Sequence, residues 1–240
     1  MTALPDCGPA KPSCGDYLDR TRSTLAERVY DRIKLAILDG QYGLQEWLPI
    51  DRIASELTVS RQPVMDSMRR LAVEGFVSIV PQVGCRLRGY DAVHVTDFFT
   101  LFADGEARIA ELAAERADSA ALDDMRATSA RIGLLRRSRT SEEERSRAYR
   151  QLNRALHGRM RQAARSSAVA EVVESMGDRS DFFIALANRP IFAARLVAAH
   201  REHEAILQAI AERDATRAAE IGRAHILAIG DRLRASTASS

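Results

Sequence analysis

Histidine is scarce in this chain of 240 residues, and three of its five histidines fall at spacings that suit a metal ion. Asn153 and His157 are four apart in a stretch with helical patterning, so they share one helix face about a turn from each other. His203 lies about ten residues before an expected turn at Arg213-Asp214, and His225 about eleven after it. Two antiparallel helices joined there would carry those imidazoles at nearly the same height. Three helices can thus bring three imidazole nitrogens and one amide oxygen to a point. With open positions left over, that donor set suits Zn²⁺, Ni²⁺ or another divalent ion. The spacing alone is equally compatible with three unrelated surface or packing histidines. His94 falls outside the pattern, and His200, three residues before His203, is either an alternate ligand or a surface residue.

A second constellation runs from Val59 to Leu71. Val64, Met68 and Leu71 recur at three-to-four spacing and share one helix face. Ser60 is placed to cap that helix, and Gly75 to stop it. Its first turn presents Arg61, Gln62 and open backbone N–H groups at the positive end of the helix dipole, where an anion is favoured. Just upstream, Ile50, Ile53, Ala54 and Leu57 mark a short amphipathic helix ending at Thr58. Two helices joined by so few residues read as a helix-turn-helix whose second helix enters a DNA major groove. A buried helical hairpin with a chance arginine would show the same pattern.

The elements that carry these residues read as follows. A first helix opens with a capping box at Thr24-Leu25-Ala26-Glu27, buries Val29, Ile33, Leu35, Ala36 and Leu38, and stops at Gly40. Trp47 and Leu48 pin the following turn to the core. After Gly75, Phe76-Val77-Ser78-Ile79-Val80 and Cys85-Arg86-Leu87-Arg88 flank a Pro81-Gln82-Val83-Gly84 turn, which makes a β-hairpin and hence a winged helix. From Ser60 to Tyr90, Arg61, Arg69, Arg70, Arg86 and Arg88 stand against Asp66 and Glu74, a local positive excess that suits a phosphate footprint. On the hairpin, Gly84 and its neighbouring arginines either meet the nucleic acid or merely keep an exposed wing soluble. Gly89-Tyr90-Asp91 is a hinge. Beyond it, Ala, Arg, Glu and Leu dominate, which predicts helices over about 95–116, 120–137, 141–164, 168–176, 180–187, 192–212 and 215–235. The fold class is therefore mainly α: a flexible tail over 1–23, a winged helix over 24–90 and an all-α helical bundle over 92–235.

Composition sets outer bounds. With 46% hydrophobic residues, few aromatics and a formal charge of +2, the chain reads as a globular protein of two modest domains. No apolar run approaches about 18 residues, so no membrane span is expected, and the first residues do not form a secretory signal. Three cysteines, two of them in the tail, suit reduced thiols and a cytoplasmic location. The spacing of Cys7 and Cys14 matches no common metal or redox site.

The run from about Ala26 to Arg88 resembles the DNA-binding domain of the GntR family of bacterial transcription regulators. The resemblance is carried by Ile53-Ala54, Leu57, Val59-Ser60-Arg61-Gln62-Pro63-Val64, Met68, Leu71, Gly75, Phe76 and Val77. It implies contact with operator DNA by Ser60, Arg61, Gln62, Pro63, Arg69, Arg70, Gly84 and Arg86. Residues from about Val95 to Leu233 are similar to the helical FCD effector domain of the FadR-type branch. Metal-binding versions of that domain carry Asp-x-x-x-His, then His, then a further His about 22 positions on, matched here by Asn153, His157, His203 and His225. What the resemblance implies is a homodimer on double-stranded operator DNA, with a divalent ion at the bottom of a cavity that holds a small-molecule effector, and the commonest logic is repression released by an organic acid. Phe102 and Glu106 would lie in that cavity. Such proteins are not enzymes; the rivals are a regulator whose signal is the ion itself, and a metal-dependent hydrolase that uses the same histidines to activate water.

Three departures stand out. Asn153 replaces the usual Asp and removes a negative charge, which weakens the hold on a hard ion. Phe102 stands where an Arg-x-x-x-Glu pattern would put arginine, and Phe98, Phe99, Phe102, Phe182 and Phe183 either line an apolar pocket or pack the core. Met65 and Asp51 occupy positions where DNA-contacting arginines are usual. One lost bidentate base contact removes about 1–3 kcal/mol of discrimination. Met65→Arg should therefore strengthen or redirect binding in a selection from random duplexes, and an unchanged selected site would show that position 65 is remote from the bases.

Overall fold

The computed structural model describes residues 24–187 and 196–237; the expected N-terminal tail with Cys7 and Cys14, and the final residues 238–240, lie outside them. By their contacts the described residues divide into two compact units, one of residues 24–35 with Trp47–Arg86, the other of Ala36–Glu46 with the chain from Leu87 onward.

Helix α1 (Leu25–Leu38) opens on the expected capping box, the Thr24 N–H donating to Glu27 Oε2 at 2.6 Å and the Glu27 N–H to Thr24 Oγ1 at 3.2 Å. Its buried face is Val29, Tyr30, Ile33, Ile37 and Leu38, whereas Leu35 is 45% exposed. Leu35 lies two residues from both Ile33 and Ile37, and a two-residue step crosses to the opposite side of a helix. Gly40 ends the segment at a φ of +71°, open to glycine at no steric cost.

Helices α2 (Ile50–Glu56) and α3 (Arg61–Val73) form the helix-turn-helix, with Thr58 held at a φ of +55° in the turn between them. Ser60 has the extended backbone of an N-cap, but its hydroxyl makes no capping bond, contrary to the sequence expectation. Strands β1 (Val77–Val80) and β2 (Gly84–Leu87) pair as the wing. Trp47 adds an antiparallel bridge to Arg86, and the Leu48 N–H donates to Cys85 O at 2.8 Å, so the turn before α2 is stitched to the wing. Leu48, Val64, Met68, Leu71, Phe76, Val77 and Cys85 fill the core beneath.

The second unit is helical: α4 (Ala92–Arg116), α5 (Ser119–Leu134) with a 3₁₀ turn at Leu135–Arg137, α6 (Glu142–Ala163), α7 (Ser167–Leu186), α8 (Leu196–Ala211) and α9 (Ala215–Thr237). Their starts are marked by local chemistry. Asp91, Asp118 and Asp214 accept from the N–H groups of His94, Ala121 and Arg217, and Ser141 with Glu144 makes a full capping box. The break expected between 176 and 180 is absent, and α7 runs through Gly177. A helix-interior glycine costs only about 1 kcal/mol, less than is gained by burying Val173, Phe182, Phe183 and Ile184 on one continuous helix.

Helices α4 and α9 form the closest pair. Ala103, Ala110 and Ala113 are wholly buried, and a Cβ at Gly222 would lie 3.3 Å from Ala110 Cβ. At Gly230 the approach is tighter still, since a Cβ would meet Phe99 Cβ at 2.7 Å. Small residues on both helices thus let the backbones draw together, which sets where Glu106 and His225 can stand. Gly230→Val should cost about 1–3 kcal/mol in chemical denaturation, because Phe99 has no space to retreat into. Gly158→Ala, whose Cβ would meet only Arg161 Nη2 at an ordinary contact distance of 3.9 Å, should be neutral or up to about 1 kcal/mol stabilising.

Candidate nucleic-acid interface and metal centre

The first turn of α3 faces outward, with Ser60, Arg61 and Gln62 exposed and Pro63 half-buried. Arg61 Nη1 lies 3.2 Å from Asp51 Oδ1, and both side chains are largely exposed. The other arginines of the helix are also internally paired. Arg69 bonds Asp66, which also accepts from the Gln62 amide at 3.1 Å. Arg70 Nε donates to Glu74 Oε1 at 3.2 Å and its guanidinium stacks 3.7 Å over the Tyr30 ring. Tyr30 in turn donates to Glu74 at 2.5 Å, and burial, then that bond, pushes the Tyr30 hydroxyl up to about 12. Arg70 therefore ties α3 to α1 as well as facing outward. Met65 is half-buried. On the wing, the tip is Pro81-Gln82-Val83, with Gln82 at a φ of +62°. Gly84, expected at the tip, instead opens β2, where a Cβ would lie 3.4 Å from the Trp47 ring; Arg86 stacks 5.6 Å above that same ring.

In the helical unit the histidine spacing does bring three imidazoles together. Helix α6 supplies His157, α8 His203 and α9 His225, with ring centroids 5.5, 5.6 and 4.7 Å apart. One nitrogen from each lies within 4.8 Å of the others, and the three rings are 7%, 1% and 3% exposed. Both nitrogens of His203 and Nε2 of His225 are buried without a hydrogen-bond partner. Burial, then the neighbouring imidazoles, hold His203 well below its ordinary value of 6.5. Burial likewise lowers His225, against the opposing pull of its hydrogen bond to Glu202. Neutral imidazoles with orphaned lone pairs are the form in which histidine binds a metal, so these residues fit a divalent ion. His200 stands apart, packed over Gly133 with Nδ1 3.4 Å from Ser129 Oγ, and His94 stacks on Tyr90.

A cavity of about 80 Å³ opens beside the imidazoles, lined by Phe102, Glu106, Asn153, Arg154, His157 and His225 among others. Asn153 is in that lining, where its Oδ1 accepts from the Tyr149 hydroxyl at 3.4 Å. Phe102 is the phenylalanine that lines it; Phe98, Phe99, Phe182 and Phe183 pack against one another as an aromatic cluster. Glu106 is 2% exposed, with Oε2 2.9 Å from His157 Nδ1 and Oε1 3.5 Å from Arg161 Nη1. Burial would raise the Glu106 carboxyl, but His157, Arg161 and His225 together hold it below its ordinary value.

Sequence reasoning missed Arg154, Arg161, Asp181 and Glu202. Arg161 was within reach, since Asn153, His157 and Arg161 follow at four-residue steps on one face of α6, and it stands beside Glu106 where position 102 offers no arginine. Arg154 Nε donates to Asp181 Oδ2 at 2.8 Å, while its Nη2 is buried without a partner. Burial pushes the Asp181 carboxyl up despite that arginine.

Comparison with known proteins decides the family. The model described as "Bacterial regulatory proteins, gntR family" matches residues 25–87, and that of the FCD domain residues 106–228. The chain belongs to the GntR family. It is a DNA-binding transcriptional regulator with an FCD effector-binding domain, in a family of transcription factors rather than enzymes. Among solved structures, "E. coli McbR/YncC" is similar at 15% identity with a TM-score of 0.76, over 90% of this chain and 99% of that one. A putative transcriptional regulator GntR from Rhodococcus sp. RHA1 gives 14% and 0.70, over 88% and 98%. At such identity these two share the fold. No curated protein matches the chain. FCD domains are often metal-binding, and no helix among the described residues is long and apolar enough to cross a membrane.

The lowered values of His203 and His225 fix the sign of a pH effect. Just below 6.5 the unfolded chain takes up protons that these buried rings refuse, so the metal-free protein keeps its full stability above about pH 6.5 and loses it as the pH falls. Urea midpoints should drop between about pH 6.5 and 5.5, and drop less in His203→Leu. A flat midpoint across that window would contradict the burial of neutral imidazoles.

Proposed function

We propose that this GntR regulator is a repressor whose operator binding is released by a small organic acid, held in the helical domain beside a divalent ion, Zn²⁺ or Ni²⁺. The single observation that carries the reading is the cluster of three buried imidazoles with orphaned nitrogens, beside a cavity that His157, His225 and Arg154 line. His157, His203 and His225 would hold the ion, with the Asn153 amide oxygen as a fourth donor. When bound, the ion supplies a positive centre for a carboxylate. Arg154 offers a guanidinium to the same ligand, Phe102 gives one apolar wall, and Glu106 fixes the His157 ring.

Size narrows the effector class. An apolar cavity of about 150 Å³ holds a benzene molecule, so a cavity of about 80 Å³ suits an acid of a few carbons better than a long acyl chain. The reading head, over residues 24–90, would meet operator DNA through Ser60, Arg61, Gln62, Pro63, Arg69, Arg70, Gly84 and Arg86. Because α3's arginines are already paired with Asp51, Asp66 and Glu74, binding exchanges one carboxylate partner for phosphate or base, which favours selective over indiscriminate contact. A homodimer formed through the helical domain, residues 92–235, would set two such heads on a roughly palindromic site. The effector acts by binding one arrangement of the heads better than the other.

The test is fluorescence anisotropy on an operator selected from random duplexes, using metal-stripped and Zn²⁺-loaded protein with a panel of two- to six-carbon acids. The proposal expects one acid class to weaken operator binding about 5–150-fold in loaded protein only. If the ion alone switches binding and every acid is without effect, the ion is the signal. If neither changes it, the effector assignment is wrong. Arg61→Ala should lower affinity on the same duplex without changing the unfolding midpoint.

A further inference from the structure

An imidazole presents one lone pair at a time, and the nitrogen that stays free is chosen by what holds the other. In the helical unit that choice is made twice by a carboxylate. Glu106, from α4, places Oε2 2.9 Å from Nδ1 of His157. Glu202, from α8, reaches α9 and places Oε2 2.7 Å from Nδ1 of His225. An ionised carboxylate only accepts, so each Nδ1 carries the proton and donates it. The lone pair of both rings is thereby assigned to Nε2, and Nε2 of His225 is among the buried atoms without a partner. His203 has no such clamp, and both of its nitrogens are unpartnered.

Charge gives these carboxylates a second task. Asn153 offers a neutral amide, so three imidazoles and an amide would leave the charge of a divalent ion uncompensated in a dry interior. Glu106 is almost fully buried and Glu202 three-quarters so, each one imidazole's width behind a donor nitrogen. Arg161, 3.5 Å from Glu106, offsets part of one charge.

We propose that Glu106 and Glu202 are positioning residues that fix His157 and His225 as Nε2 donors and supply, from behind the ligands, the negative charge that Asn153 lacks. Glu202 is the sharper case, because one short stretch of α8 then serves two rings, His203 directly and His225 through its neighbour. The proposal rests on the metal reading of the three histidines and goes beyond it. It assigns ion affinity to two residues that never touch the ion.

The full-length protein tests it by Zn²⁺ competition against a chromophoric chelator, with His203→Ala, Glu106→Gln, Glu202→Gln and Asn153→Asp. Glutamine keeps an acceptor for Nδ1–H and removes the charge, so it preserves packing at the buried position. Each Gln variant should bind Zn²⁺ about 10–100-fold more weakly, and Asn153→Asp should recover most of that loss in the Glu202→Gln background. Long-range ¹H–¹⁵N spectra of metal-free protein should show His225 as the Nδ1–H tautomer, and Glu202→Leu should convert it to a mixture. Wild-type affinity in both Gln variants, with binding abolished by His203→Ala, would overturn this proposal and leave the metal site standing. Absence of Zn²⁺ binding in the wild-type protein would overturn both.

Discussion

A buried imidazole nitrogen without a hydrogen bond costs about 1–3 kcal/mol, and the helical domain keeps three such atoms within a few ångströms of one another. A fold sustains that only where the surroundings fix the rings in place. Here they do so from several sides: α6, α8 and α9 each contribute one ring, and α4 and α8 contribute the carboxylates that hold two of them. Burial penalises the charged forms of His203 and His225 and keeps those two rings neutral. The arrangement is poor as a core and good as a ligand set, and the adjoining cavity is where a small acid can meet it.

That geometry depends on how closely α4 and α9 approach. Glycine at 222 and 230 against Ala110 and Phe99 brings the helices together, so Glu106 on one and His225 on the other face the same small volume. Arg161 then stands beside Glu106, the neighbour that a phenylalanine at 102 cannot provide. The winged helix shows a related economy. The three arginines of α3 are exposed yet each has an acidic partner within the domain, so their charge is committed until a stronger anion displaces that partner.

Much of this was legible in the residues, for physical reasons. Helical period and caps revealed Thr24, Asp214 and the run from Val64 to Leu71, because burial and capping act over one or two turns. The meeting of His203 and His225 followed from symmetry about a turn, since equal steps from a helix hairpin reach equal heights. What lay beyond the sequence depended on distant partners. Glu202 looks like one more surface acid beside His203, and nothing local says that it crosses to α9. Leu35 misled by residue type, as an apolar residue on the wet side of α1, and the break expected between 176 and 180 is spanned by one well-packed helix. Ser60 sits where a cap belongs, yet its hydroxyl makes no capping bond.

The most direct test of the central claim is X-ray absorption at the metal edge on protein purified without chelator. The account predicts a stoichiometric divalent ion with three imidazole nitrogens and oxygen donors at about 2.0–2.2 Å, and no sulfur. A protein carrying no ion after exposure to Zn²⁺ and Ni²⁺, or one whose ion shows a thiolate or fewer than three imidazoles, would contradict it.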